Sequence, residues 1–332
     1  MGKKCKGCGV GLQDNNVLLE GFTTNLTNDY CARCFRMKHY GEYQLVVKSN
    51  DEFIEIIKNI GTTRSLVIYV VDVLNIPKNI SNIKEYMPNN DIILVLNKSD
   101  LLPKSVIENK IIDYFKNMNL GFLDVIMISA LTNYNLDLLY SMINKYRTTK
   151  NVYVVGNTNA GKSMLINKFI KNYMAGDEIL SISAMPSTTL NEIKLEIGDF
   201  FIIDTPGLVD SENIINYVDA DMLKKISPKK EIKPRIFQIK KNQSILIDDI
   251  MRVDYAIGDR NSIIFFMSND IKIKKINFNK PILKDLMRKE IDVKYREDVV
   301  INGLGFIKVI DECKLIIWIN KETDIFTRKS LI

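Results

Sequence analysis

Residues 156–163 read Gly-Asn-Thr-Asn-Ala-Gly-Lys-Ser, the G-x-x-x-x-G-K-S pattern of a phosphate-binding loop. The pattern constrains the fold because it works only between a strand and a helix. Its glycines let backbone N–H groups close around phosphate oxygens, and the helix N-terminus adds its positive end. Both flanks are present: Asn151–Val155 has the character of a buried strand, and Lys162–Lys171 has helical periodicity. Lys162 would reach the β- and γ-phosphates, and Ser163 would ligate Mg²⁺. Gly156, Asn157, Thr158, Asn159, Ala160, Gly161 and Met164 complete the expected cradle.

Three further segments sit at the ends of predicted strands. Residues 204–207 are Asp-Thr-Pro-Gly after Phe201–Ile203. Asp204 would hold Mg²⁺ mostly through water, and the Gly207 N–H would meet the γ-phosphate. Residues 97–100 are Asn-Lys-Ser-Asp after Ile92–Leu96. Asp100 can accept hydrogen bonds from guanine N1 and N2, a pattern that adenine does not offer, so the carboxylate selects GTP over ATP. Asn97 would brace the phosphate loop, and Lys98 would cover the base with its aliphatic stem. Ser129-Ala130-Leu131 follows Asp124–Ile128, and the Ala130 N–H would bind guanine O6. Thr188 and Thr189 lie in Pro-Ser-Thr-Thr between the phosphate loop and Asp204. One of them, with Thr189 favoured, would supply a switch ligand to Mg²⁺.

Residues 50–215 alternate strands with helical patterns, including Ser105–Asn117 and Leu136–Tyr146. That alternation predicts a doubly wound α/β domain with a mainly parallel sheet. Residues 220–332 change character. Ile263–Met267, Ile271–Ile276, Phe306–Ile310 and Leu315–Ile319 read as strands and Pro281–Lys289 as a helix, which predicts a separate C-terminal α+β domain. No apolar run approaches the roughly 20 residues that span a bilayer, and the N-terminus lacks the apolar core of a secretory signal. Gly2 is followed by Lys6 where myristoylation wants Ser or Thr. The expectation is a cytoplasmic monomer with no membrane partner.

Residues 1–45 are too few to bury a core without a staple. Cys5, Cys8, Cys31 and Cys34 form two Cys-x-x-Cys pairs with 22 residues between them. Four thiolates favour a closed structural Zn²⁺ site; a redox dithiol is the alternative. His39, the only histidine, is not needed as a ligand, and Cys313 lies beside an apolar strand.

In ordinary GTPases the phosphate loop comes first. Here Asn97–Asp100 and Ser129–Leu131 precede Gly156–Ser163, then Thr188 and Thr189, and Asp204 comes last. This order resembles the circularly permuted GTPases. The cysteine pairs, with Cys31-Ala-Arg-Cys34-Phe-Arg-Met-Lys-His-Tyr40, resemble the zinc finger of the YqeH family. Ser227-Pro-Lys-Lys-Glu-Ile-Lys-Pro-Arg235, Arg252-Val-Asp-Tyr255 and Ser268-Asn-Asp270 are similar to that family's C-terminal half. The resemblance covers about residues 5–280 and weakens beyond. It implies a GTPase that assists assembly of the small ribosomal subunit or its precursor, with a C-terminal domain for rRNA or protein. Two departures stand out. Asp248 and Asp249 replace an expected Gly-Gly pair, and Leu74-Asn-Ile-Pro77 replaces a Phe- and Gly-bearing turn.

Leu208 follows Asp-Thr-Pro-Gly, where classical small GTPases place a water-orienting Gln. Intrinsic hydrolysis is therefore expected to be slow. Asn159 lies where related permuted GTPases bind K⁺, so the resemblance makes it a candidate K⁺ ligand, and a K⁺ beside the phosphates would neutralise developing charge; a loop-bracing amide is the alternative. Lys224–Lys241 holds eight basic residues against one acid, Glu231, while the whole chain carries 46 Lys and Arg against 40 Asp and Glu. Such a run suits phosphate contacts without sequence specificity, or a solvated charged face. Two other functions fit the same residues: a scaffold in which GTP is only a latch, and a metal- or redox-sensing regulator.

Overall fold

A computed structural model describes residues 3–6, 10–15, 21–32, 34, 35, 50–173, 193–208, 210–281 and 285–332. Cys8, His39, Thr188 and Thr189 lie outside them. The chain divides into two compact units. The first comprises residues 1–72, 79–99 and 115–209, the second 73–78, 100–114 and 210–332.

The first unit is built on a six-stranded sheet. Its strands are β1 (Leu66–Asp72), β2 (Ile92–Asn97), β3 (Asp124–Met127), β4 (Asn151–Gly156), β5 (Ile193–Ile197) and β6 (Phe200–Asp204), in the spatial order β3-β2-β1-β4-β6-β5. All neighbours are parallel except the β5–β6 pair. β1 and β2 are apolar up to their last residues, Asp72 and Asn97, and every residue in them is buried, as both faces of a parallel sheet require. The strand order reverses at β1 and β4, the place where open α/β sheets bind ligands. Register fixes which residues meet there: Asp72 lies opposite Asn97, Val70 opposite Gly156, and Val154 opposite Asp204. The carboxyl ends of β1, β2, β4 and β6 thus share one edge.

Helices α1 (Asn50–Gly61), α2 (Asn82–Tyr86), α3 (Glu108–Asn117), α4 (Leu136–Tyr146) and α5 (Lys162–Tyr173) punctuate the strands. In α1, Phe53, Ile56, Ile57 and Ile60 are buried, the i, i+3, i+4, i+7 stripe of an amphipathic helix. In α5, Leu165, Ile166, Phe169 and Ile170 join the core with Ile68, Val70 and Val154. Each such burial contributes roughly 1.5–3 kcal/mol, enough together to hold the helix N-terminus, and so Lys162 and Ser163, in place. The predicted helix at Ser105 begins three residues later, at Glu108. No helix among the described residues is long and apolar enough to cross a membrane.

The second unit carries α6 (Ala220–Ile226) and two five-stranded antiparallel sheets. One runs β16-β13-β14-β10-β7, from β16 (Ile325–Lys329), β13 (Glu297–Ile301), β14 (Gly305–Val309), β10 (Asn261–Met267) and β7 (Arg235–Ile239). The other runs β11-β8-β9-β15-β12, from β11 (Ile273–Asn277), β8 (Gln243–Ile247), β9 (Met251–Ile257), β15 (Cys313–Ile319) and β12 (Met287–Val293). Their inner faces share one core, including Val253, Phe265, Ile307 and Ile317. β15 alternates buried and half-buried residues at period two, the pattern of a sheet with one wet face.

The helix expected over Pro281–Lys289 is corrected. Met287–Lys289 belongs to β12, paired residue by residue with β15. Arg288, Lys289 and Glu290 favour helix locally, but pairing to the apolar β15 overrides so weak a preference. The departure at Asp248 has a physical reading. Its φ is +42°, where a glycine is at ease and Asp is among the tolerated side chains. The Asp248 carboxylate accepts the Lys272 N–H at 3.0 Å, a contact glycine could not make. In the other departure, Leu74 and Ile76 are both buried.

Candidate functional site

The phosphate-loop sequence folds as a tight turn from β4 into α5. Gly156 and Gly161 have φ of +155° and +93°. A Cβ on Gly156 would lie 2.2 Å from the Val70 carbonyl oxygen, and one on Gly161 would lie 2.3 Å from the Asn97 amide nitrogen. Neither position admits a side chain. Asn159, at φ +63°, is exposed, and Ser163 is half-buried in the first turn of α5. Met164 beside it is exposed.

Lys162 is fully buried. Its ammonium donates to the Gly156 carbonyl and, at 3.4 Å, to that of Asn157. Burial pushes its pKa down to about 8, against the opposing pull of Asp204. Asp204, at the end of β6, is itself buried. Gly207 packs against the loop: a Cβ there would lie 3.0 Å from Thr158 Cγ2 and 3.2 Å from Lys162 Nζ. Leu208 pairs with the loop backbone. Its carbonyl accepts the Thr158 N–H at 2.9 Å, and its N–H donates to the Gly156 carbonyl at 3.4 Å. The segment after Asp204 thus lies on the loop it is expected to sense.

Asn97 ties two predicted segments together. Its amide nitrogen donates to the Ala160 carbonyl at 2.9 Å, and its amide oxygen accepts the Ala130 N–H at 3.0 Å. The donor assigned to guanine O6 is therefore already engaged, and a base would have to share it. Ser129 and Tyr134 exchange both backbone hydrogen bonds, at 3.2 and 3.1 Å, and leave Leu131 exposed at the loop tip. Lys98, at φ +66°, ion-pairs with Asp72 at 2.7 Å. Sequence reasoning missed Asp72, although a carboxylate closing a wholly apolar strand is the same signal that marked Asp204. Asp100 follows in the 3₁₀ turn Ser99–Leu101.

Among the described cysteines, Cys5, Cys31 and Cys34 are buried, with their sulfurs all within 4.8 Å of one another. Thiolates around a tetrahedral Zn²⁺ stand about 3.8 Å apart, given Zn–S bonds of about 2.3 Å, so the cluster fits that ion. The Cys31 N–H donates to Cys5 Sγ at 3.2 Å, a bond that stabilises a thiolate.

Two family models match this chain. That of the RsgA GTPase covers residues 65–213, and that of the 50S ribosome-binding GTPase covers residues 151–280. The second begins at β4, just before the phosphate loop, and so leaves out Asn97–Asp100 and Ser129–Leu131, as a permuted order demands. The Bacillus subtilis protein YqeH is 34% identical over 361 aligned positions, which take in 99% of both chains. The chain belongs to the YqeH family. Members of wider ancestry include the Arabidopsis thaliana NO-associated protein 1, 27% identical over 71% of this chain and 48% of its own. Human nitric oxide-associated protein 1 is 25% identical over 59% of this chain and 36% of its own. The YqeH-family assignment makes this a circularly permuted GTP-binding protein of the GTPase class, for which GTP, GDP and Mg²⁺ are the expected ligands.

Proposed function

We propose that this YqeH-family chain is a GTP-hydrolysing switch that assists small-subunit ribosome assembly by nucleotide-dependent binding to rRNA or a pre-ribosomal particle. The observation that carries the reading is the shared sheet edge. Asn97 at the end of β2 holds both the phosphate loop and the Ala130 loop, while Asp204 at the end of β6 acts on the buried Lys162. In the proposed complex Lys162 meets the β- and γ-phosphates and Gly207 the γ-phosphate. Asp100 reads guanine, with Ala130 on its O6. Ser163, Thr189 and Asp204 hold Mg²⁺, which would offset the charge that develops on the phosphates.

Leu208 offers water no polar side chain, so turnover is slow, and K⁺ at Asn159 accelerates it. Cys8 joins Cys5, Cys31 and Cys34 on Zn²⁺ within a finger of residues 1–45. Residues 50–215 form the permuted GTPase domain, and 220–332 form the rRNA- or protein-binding domain, with Lys224–Lys241 on phosphates. The protein works as a cytoplasmic monomer. Support for the ribosome comes from relationship: one matching family description names the large subunit, whereas the motif resemblance points to the small one.

Co-sedimentation with purified small and large subunits, with a non-hydrolysable GTP analogue and with GDP, tests this. Binding to small subunits with the analogue alone is expected. Binding to large subunits only, or equal binding in both nucleotide states, would overturn the reading, the latter in favour of a scaffold that uses GTP as a latch. Equal hydrolysis in KCl and NaCl would remove the K⁺ role.

A further inference from the structure

Glu231 is the one acid in the run Lys224–Lys241. On a surface built only to attract polyanions it is out of place, because it repels what the lysines around it attract. Its contacts give it a different task. Its carboxylate accepts the Lys104 N–H at 2.9 Å. The neighbouring Ile232 N–H donates to the Leu101 carbonyl at 2.8 Å. Leu101, Leu102 and Ile232 are all buried around this two-rung contact. Residues 101–104 are the four that follow Asp100.

The other side of Glu231 is fixed as well. Asn269 donates to the Glu231 carbonyl at 2.8 Å and accepts the Lys233 N–H at 2.8 Å. Arg235 donates to the Ser268 carbonyl at 2.9 Å and to that of Ile271. Glu231 and Ile232 are thus held by the turn after β10 and in turn hold the chain just beyond Asp100. Both rungs and the Asn269 brace lie within the second compact unit.

We infer that Glu231 is a positioning residue for the base-reading carboxylate: through Lys104 and Leu101 it fixes the turn that carries Asp100, and so sets guanine affinity and discrimination. The inference rests on the proposed reading of Asp100 as the guanine acceptor. A carboxylate that accepts from both N1 and N2 of guanine must be placed in the plane of the base. A small displacement loses the N2 contact first, and inosine nucleotides lack that amino group. Loosening the turn should therefore weaken GTP more than ITP, without touching groups at the γ-phosphate.

The test uses the full-length protein and equilibrium titration with GTP, ITP and XTP. Glu231→Ala is expected to weaken GTP about fivefold, the net size of one ordinary hydrogen bond, and ITP by clearly less, with kcat at saturating GTP unchanged. Glu231→Gln keeps an oxygen for the Lys104 N–H and is expected to restore the wild-type ratio. In an Asp100→Asn background, Glu231→Ala should have no further effect on the GTP to ITP ratio, since residues acting through one group are not additive. Equal weakening of GTP and ITP, failure of Glu231→Gln to rescue, or an undiminished effect in the Asp100→Asn background would each overturn the inference. Failure of the underlying reading looks different: Asp100→Asn would then leave the preference for GTP over XTP intact, whatever Glu231 does.

Discussion

Lys162 and Asn97 show how single side chains decide the site. Lys162 is fully buried, and desolvation lowers its pKa to about 8. Bound polyphosphate favours the charged form, so its pKa rises on binding. The sign follows by linkage. Below about pH 8 the lysine is charged in both states, and affinity does not depend on its titration. Above it the free protein has lost the proton, binding must take one up, and affinity falls by up to about tenfold per pH unit. Titration of nucleotide between about pH 7 and 9 checks this; a flat profile would show that Lys162 keeps its proton throughout. Asn97, 1% exposed, is tested by Asn97→Ala. That change strands the Ala160 carbonyl and the Ala130 N–H, two buried groups at about 1–3 kcal/mol each. We expect a lowered melting temperature together with weakened binding of GTP and GDP alike, measured by thermal scans and nucleotide titration.

At the scale of elements, β9 carries a buried polar network beside the apolar core of the second unit. Arg252 and Asp254, both buried in β9, pair at 2.5 Å. Arg252 also donates to the carbonyls of Phe278 and Lys280, and Asp254 accepts from Ser244 and, at 2.8 Å, from the indole of Trp318. Removing the charge with Asp254→Asn leaves Arg252 without its counter-ion and should cost about 3–5 kcal/mol. Trp318 is the chain's only tryptophan, so its emission reports the loss in urea titrations. This network also marks where the sequence was hard to read. β1, β2 and β4 were legible because burial on both faces writes itself as an unbroken apolar run, and β15 because one face is apolar at period two. β9 carries the same period-two alternation, with Met251, Val253 and Tyr255 in the core and Arg252 and Asp254 between them; what the pattern does not show is that the polar face is buried as well. The site motifs were legible for a different reason: phosphate loops need glycine at fixed backbone angles, and each motif ended a strand. Asp72 carried a readable signal, a carboxylate closing an apolar strand, whereas Glu231 was illegible because its partner, the Lys104 amide, is fixed by packing and not by spacing.

At the scale of the molecule, the chain after Asp204 leads into the second unit, and that unit holds it firmly. Residues 210–217 dock on the turn between β13 and β14. Asn302 donates to Asp210 at 2.7 Å, and the Ile214 N–H donates to the Asn302 carbonyl at 3.0 Å. Gly303, at φ +84°, leaves room for Asn213, whose oxygen would lie 1.8 Å from a Cβ there. Gly303→Ala should therefore loosen this dock and speed amide exchange over residues 210–217, with exchange in β1 and β2 unchanged. The basic segment that links α6 to β7 contacts the Asp100 turn through Glu231 and Ile232 within this unit, which would give a polyanion bound there a route to the nucleotide. Coupling of this kind is reciprocal: if an RNA on Lys229, Lys230 and Lys233 shifts the linker, GDP release must respond, and nucleotide must alter RNA affinity by the same factor. Single-stranded RNA contacts weaken with salt at a slope of about 0.7 per phosphate neutralised. Reversing Lys229 and Lys230 to Glu should lower that slope by about 1.4 and abolish the effect of RNA on GDP release. Glu231→Ala makes the opposite split, keeping the salt slope while losing the effect on release, because it removes the contact to Lys104 and none of the positive charge. Stopped-flow release of fluorescent GDP with and without RNA, at two salt concentrations, separates these outcomes. Release that ignores RNA in the wild type would show that the linker binds its partner without informing the base-reading turn.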